Sequence, residues 1–272
     1  MTKRLRLSPF SLKDTIECGQ FFRFTKVENT YLIQTSNRIF SLWQKEDLLY
    51  YDGVEESFLS QFFRLEDDFE DILKRINLDP IICQAIRRYR GLRLIRQDPW
   101  ECLISFLFSS AKAIPNIRCL IEALCRVSGR KVAQGSHISY GFPAPAFFHC
   151  NSIPREVRAG FRITHLIETG RSINRDQLFL LKKLDYEQAR KELMQLRGVG
   201  KKIADCVLLY SLDFLEAFPM DTWIKRGLEK SYFSGEKMGE KGMEDFVRSH
   251  FGPYGGYAQL YLYHYWRNYG FS

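Results

Sequence analysis

Residues 185–228, DYEQARKELMQLRGVGKKIADCVLLYSLDFLEAFPMDTWIKRGL, decide how this chain is read. Asp185 is placed to cap a helix, with Gln188 three residues on, and Ala189, Leu193 and Leu196 form its apolar stripe. Gly198 and Gly200, with Val199 between them, stop that helix in a short turn. A second helix starts at once, with Ile203, Cys206, Val207 and Tyr210 at helical spacing. The pattern is a helix–hairpin–helix with a Gly-x-Gly turn. A backbone without Cβ can approach a phosphate closely, and the free N–H groups of the following helix point at the anion. As physics, Gly198, Val199, Gly200 and Lys201 form a sequence-independent grip on a DNA backbone. An ordinary helical hairpin with a glycine turn has the same spacing.

Two residues outside the turn add chemistry. Lys202 lies in the first turn of the second helix, where the positive dipole end and the adjacent Lys201 disfavour its charged form. A lysine so placed is a candidate amine nucleophile. Nineteen residues later, after Pro219 and Met220, Asp221 is placed to cap TWIKRGLEKSY. A carboxylate near a lysine and a sugar can stabilise developing positive charge. Read alone, Lys202 is a solvated surface lysine and Asp221 an N-cap.

Working outward, the segments QFFRFTKV, TYLIQTS, RIFSLWQ and LLYYDG between Gln20 and Gly53 are short, aromatic and β-branched, with turn residues such as Glu28-Asn29 between them. They predict an antiparallel meander. From about Glu56 the period becomes helical, as at Leu59, Phe62 and Phe63. Asp98, Pro99 and Glu101 predict a capped helix start with a capping box ahead of CLISFLF. Residues 135–154 and 234–242 read as loops. The outline is α+β: a β-rich N-terminal domain over residues 1–80, then a mostly helical region over 81–272. The chain has 272 residues and a net charge of +8, which favours an anionic partner without specifying it. No apolar run is long enough to span a bilayer, and the N-terminus lacks a signal-peptide core. The seven cysteines include no CxxC pair and none follows Cys206, which predicts reduced thiols and excludes a C-terminal four-cysteine iron–sulfur loop. A cytoplasmic monomer of a bacterial or archaeal-type cell is expected. The run RRYRGLRLIR (87–96), with five arginines in ten residues, fits a DNA-backbone contact and a solvated helix end equally.

LRGVGKKIADCVLLYSL followed by FPMDTW resembles the helix–hairpin–helix Gly/Pro…Asp superfamily, and within it the 8-oxoguanine DNA glycosylase family. CGQFFRF (18–24), RQDPWECLISFLFSS (96–110), AGFRITHL (159–166) and GPYGGYAQLYLYHY (252–265) each resemble a segment of that family, in order. The resemblance covers nearly the whole chain and implies a two-lobed helical glycosylase region behind the N-terminal sheet. It implies double-stranded DNA containing 8-oxoguanine as the partner, with the damaged nucleotide extruded from the duplex. Lys202 would attack C1′, expel the base and form a Schiff base that permits β-elimination, while Asp221 would stabilise the cationic sugar. The Gly19 carbonyl would accept the N7–H that 8-oxoguanine has and guanine lacks. Cys206 and Tyr263 would cover the two faces of the base, tyrosine standing where phenylalanine is usual, and Gln259 would read its Watson–Crick edge.

The family's estranged-cytosine contacts are altered. Ala111-Lys112-Ala113-Ile114-Pro115-Asn116 replaces an asparagine-rich segment and its arginine. Phe161 stands where a tyrosine often wedges, with Arg162 retained. Alanine donates nothing, and Asn116 is too short to replace an arginine's paired donors, although Lys112 could offset part of the loss. Relaxed discrimination of the opposite base is the expectation. Neither an organic cofactor nor a catalytic metal is implied; the resemblance allows a monovalent cation at the hairpin carbonyls. Two alternatives remain at this stage. One is a glycosylase for alkylated bases or oxidised pyrimidines, though enzymes for alkylated bases generally lack the hairpin lysine. The other is a DNA-binding module without catalysis, which has no need of Lys202, Asp221 and a base pocket together.

Overall fold

A computed structural model describes residues 2–109, 113–149, 153–154, 157, 159–160 and 162–271. The chain runs β1 (Lys3–Arg6), α1 (Leu12–Glu17), β2 (Phe24–Val27), β3 (Thr30–Thr35), β4 (Arg38–Lys45) and β5 (Leu48–Asp52), then α2 (Glu56–Phe62), α3 (Phe69–Ile76) and α4 (Pro80–Arg88). There follow α5 (Pro99–Leu107), α6 (Ile114–Ser128), β6 (Lys131–Gln134), β7 (His137–Tyr140), α7 (Arg162–Ser172), α8 (Arg175–Leu180) and α9 (Tyr186–Leu193). The last described helices are α10 (Lys201–Ser211), α11 (Thr222–Tyr232), α12 (Glu240–Phe251) and α13 (Gly255–Tyr269).

Period-2 alternation builds the five-stranded antiparallel sheet, whose order is β1-β5-β4-β3-β2. Leu42 sits opposite Tyr31 on one side and Tyr51 on the other, and Ile33 pairs with Phe40. These side chains share one face and are buried with Phe10, Leu12, Leu59, Phe62 and Phe63 in a compact core. Two-residue turns join β2 through β5, and each opens with a residue at positive φ: Glu28, Ser36 and Glu46. β1 was not anticipated, because KRLR has the composition of a basic tail. Its charged side chains suit an exposed edge strand.

A second, larger core belongs to the helices. All nine residues of α5 are buried, so its pattern is apolar without a polar face. It lies against α10, which is also buried from Ile203 through Ser211. Among the described residues no helix is long and apolar enough to cross a membrane.

Three local expectations are corrected. Asp98 does cap α5, accepting from the Glu101 N–H at 3.0 Å, but the reciprocal half of the box is absent. The Glu101 carboxylate instead crosses to the sheet, where the Ser36 N–H at 2.6 Å and the Arg23 guanidinium at 3.1 Å donate to it. A buried carboxylate needs such an ion pair more than a helix end needs a second cap. The segment read as a loop from 135 onward contains part of an antiparallel hairpin, β6–β7, turning at Gly135. The arginine run is not one solvated face: Arg87, Arg88 and Arg90 are exposed at the end of α4, but the later arginines turn inward. Arg93 is buried 4.1 Å over the Phe69 ring, Arg90 pairs with Glu70, and Arg96 pairs with Asp213 and Glu66.

Candidate active site

The hairpin is built by its glycines. Helix α9 ends at Leu193, and the Val199 N–H donates to the Leu196 carbonyl at 3.1 Å, closing the turn. Gly198 has φ +81, and a Cβ there would lie 2.5 Å from His165 Nδ1. Conformation and space both exclude a side chain at this position. Gly200 is the N-cap of α10, with open space where a Cβ would stand and no side-chain cap, so the start of that helix is left accessible.

From the first turn of α10 the two lysines diverge. Lys201 turns to the acidic start of α12, 3.0 Å from Glu244 and 3.7 Å from Glu240. Its charge is therefore compensated by carboxylates, unlike the bare neighbour anticipated from sequence. Lys202 turns inward, donating to Ser109 Oγ at 2.9 Å, with Nζ 5.2 Å from the Phe106 ring centroid. That ring is held by stacking on Tyr210 and by the edge of Phe22. Asp221 caps α11, accepting from the Ile224 N–H at 2.8 Å.

Lys202 and Asp221 line one cleft of about 100 Å³, together with Gly19, Cys206, Gln259 and Tyr263. These six residues come from an N-terminal loop and three helices. Gly19 follows α1 with φ +103, and an added Cβ would meet Ile114 Cδ1 at 2.9 Å and an Arg267 nitrogen at 3.0 Å. The loop is fixed from both sides. The Gln20 side chain donates to the Thr15 and Arg93 carbonyls and accepts from the Ile95 N–H, while Arg267 donates to the Glu17 and Cys18 carbonyls at 2.9 Å each. Burial pushes the Cys206 thiol up to about 12 against the pull of Lys202, so it stays a neutral packing surface. Burial, reinforced by the Asp221 charge, also raises the Tyr263 phenol. Gln259 Nε2 donates to the Pro219 carbonyl at 3.2 Å, but its buried Oε1 has no hydrogen-bond partner.

The opposite-base residues are less gathered. Asn116 is exposed in the first turn of α6, and Arg162 is buried at the start of α7. Lys112 and Phe161 lie outside the described residues. Among the described residues no group of three or more His, Cys, Asp or Glu side chains could hold a metal ion. Hairpin carbonyls are the remaining donors for a monovalent cation. The Leu196 carbonyl accepts from the Val199 N–H and the Arg197 carbonyl from the Thr169 hydroxyl, and each keeps a second lone pair. Sequence reasoning missed Ser109, Phe106 and Arg267. Arg267 follows Tyr263 at i+4, so helical spacing could have found it; Ser109 meets Lys202 only through the packing of α5 on α10. A roomier groove of about 880 Å³ between β2, α6 and β7 shares neither Lys202 nor Asp221.

Comparison with known proteins adds to this geometry. Residues 4–103 match the family model described as 8-oxoguanine DNA glycosylase, N-terminal domain. A probable N-glycosylase/DNA lyase of Methanothermobacter thermautotrophicus is 29% identical over 236 residues, covering 78% of this chain and 75% of the relative. Among solved structures, MBOgg1 in complex with a low-affinity DNA ligand superposes with a TM-score of 0.93 at 32% identity, covering 99% of this chain and 96% of that one. The 8-oxoguanine glycosylase/lyase of Clostridium acetobutylicum, solved with double-stranded DNA carrying cytosine opposite 8-oxoguanine, gives a TM-score of 0.89 at 30% identity, covering 98% of each chain.

Proposed function

The chain belongs to the 8-oxoguanine DNA glycosylase family, and from that premise we propose that it excises 8-oxoguanine from duplex DNA and then cleaves the abasic site, with Lys202 as nucleophile. The observation that carries this reading is the convergence of an inward-turned lysine and a carboxylate on a cleft that also holds a buried, unpartnered amide oxygen. The Lys202 amine nitrogen attacks C1′ while the bond from C1′ to N9 breaks; the electron pair leaves with the base, which takes up the proton that the attacking nitrogen sheds. The Asp221 carboxylate stabilises positive charge on the sugar as that bond opens. Ser109 Oγ orients Nζ, and the Phe106 ring bounds its position. The sugar then opens to a Schiff base on Lys202. Loss of the C2′ proton with departure of the 3′ phosphate cleaves the strand, and hydrolysis of the imine returns the lysine.

Selectivity falls to the cleft walls. The Gly19 carbonyl accepts N7–H from 8-oxoguanine; guanine would leave it unpaired, at a cost of about 1–3 kcal/mol. Gln259 Oε1 accepts from the Watson–Crick edge, and Cys206 and Tyr263 hold the faces. The N–H groups of the Gly198–Lys201 turn grip the lesion strand, and a monovalent cation on hairpin carbonyls would add positive charge facing that phosphate. With Ala111 and Asn116 at the positions where the family carries an asparagine and an arginine, the enzyme tolerates bases other than cytosine opposite the lesion. Such an enzyme works where the chromosome is, at the nucleoid.

Borohydride trapping on a duplex with a single 8-oxoguanine tests the proposal. Wild type should give a covalent adduct with the lesion duplex and none with an undamaged one. Lys202→Gln should give neither adduct nor free base while still binding the duplex. An adduct formed by Lys202→Gln would move the nucleophile to another amine.

A further inference from the structure

Beside the cleft runs an open groove of about 630 Å³, lined by Lys202 and Asp221 and continuing to Lys225 and Arg226. Lys225 is engaged there: its Nζ lies 3.1 Å from Glu240 Oε1. The other oxygen of the same carboxylate is 3.7 Å from Nζ of Lys201, the hairpin lysine. One side chain in the first turn of α12 thus spans the hairpin and the groove. Behind it the charges alternate inward. Lys201 meets Glu244 at 3.0 Å, Glu244 meets Arg190 at 2.9 Å, and Arg190 meets the buried Asp205 at 3.0 Å. The inner end is fixed by burial. The outer end, with Glu240 47% and Lys225 36% exposed, can exchange partners at little cost. Two ammonium groups flank the two oxygens of one carboxylate, Lys225 by a hydrogen bond and Lys201 by a longer ion pair, and beside a helix N-terminus this matches the charge and oxygens of a phosphodiester.

We propose that Glu240 occupies the place of a DNA phosphate in the free protein, holding Lys201 and Lys225 until a strand displaces it, and so sets how weakly the enzyme holds undamaged duplex. This rests on the reading that the hairpin grips duplex DNA. Any strand entering the groove must break two ion pairs and approach a carboxylate, so Glu240 opposes every duplex, damaged or not. Its removal strengthens backbone contacts without altering the base pocket. Both opposing terms are electrostatic and are screened by salt.

Equilibrium binding to an undamaged duplex across a salt series tests this. Glu240→Gln should bind about three- to tenfold tighter than wild type at low salt, with the gain shrinking as salt rises. Glu55→Gln, which removes the same charge beside Lys3 on the N-terminal sheet, should leave affinity within about twofold of wild type. In a Lys225→Ala background, the Glu240→Gln gain should shrink to the part that comes from Lys201 and from removing the carboxylate's repulsion. Unchanged or weaker binding by Glu240→Gln overturns the proposal, as does an equal gain from Glu55→Gln or an undiminished gain without Lys225. Those outcomes leave DNA binding itself standing. Absence of duplex binding by wild type would overturn both readings.

Discussion

Asp221 faces the cleft and caps α11 with the same carboxylate, and substitution can separate the two roles. Asparagine caps as well as aspartate, so Asp221→Asn should change stability by less than about 0.5 kcal/mol. On the proposed mechanism it removes the charge that stabilises the sugar cation, and should slow single-turnover excision by about a hundredfold or more. Asp221→Ala should add a stability loss of about 1 kcal/mol. Excision by Asp221→Asn at the wild-type rate would assign the residue to capping alone. The segment at 111–116 is also a matter of single residues. Losing one paired base contact removes about 1–3 kcal/mol of discrimination. Excision rates on four duplexes differing only in the base opposite 8-oxoguanine should therefore fall within about a hundredfold of one another. A stronger preference for cytosine would show that other side chains read that base.

Among the elements, the hairpin is the most sharply specified. Gly198→Ala must adopt a left-handed φ at about 1–2 kcal/mol and also displace the His165 ring. Melting should fall by about 3–8 °C, and duplex affinity should drop at least tenfold, about 1.4 kcal/mol, as the N–H groups lose their aim. Affinity equal to wild type would detach the hairpin from DNA binding. This element was legible in the sequence because its information is local: two glycines, an apolar stripe on each side and an N-cap after the second helix. The strands β2 to β5 were legible for the same reason. What escaped was set by distant partners. Glu101 has the spacing of a capping box, yet its carboxylate answers to Arg23, 78 residues away. β1 is a strand only because Leu5 lies opposite Leu49, and nothing in KRLR itself states that pairing.

Across the whole molecule, Asp213 joins parts that share no local sequence. Arg64 from beyond α2, Arg96 from the segment before α5 and Lys182 from beyond α8 all converge on it. Burial alone would raise its carboxyl, but the Arg64 charge and the Lys182 and Arg96 hydrogen bonds prevail and hold it at about 2. The folded value is below the unfolded one, so the stabilisation is present in full above about pH 4 and is lost as pH falls toward 2. Asp213→Asn leaves the buried Arg64 without its main anion and should cost about 2–4 kcal/mol at pH 7, the gap to wild type closing through that window. A gap independent of pH would mean that shape rather than charge holds the junction. The Arg267 bonds to the Glu17 and Cys18 carbonyls tie together residues that are made far apart in time. On the ribosome, Lys202 is synthesised 65 residues before Arg267. A nascent chain thus carries Lys202 while the Gly19 carbonyl is unaimed and the wall of Gln259 and Tyr263 does not exist. On the proposed mechanism such a chain lacks both the wall that holds a base and the carbonyl that selects it, so cutting and choosing both wait for α13.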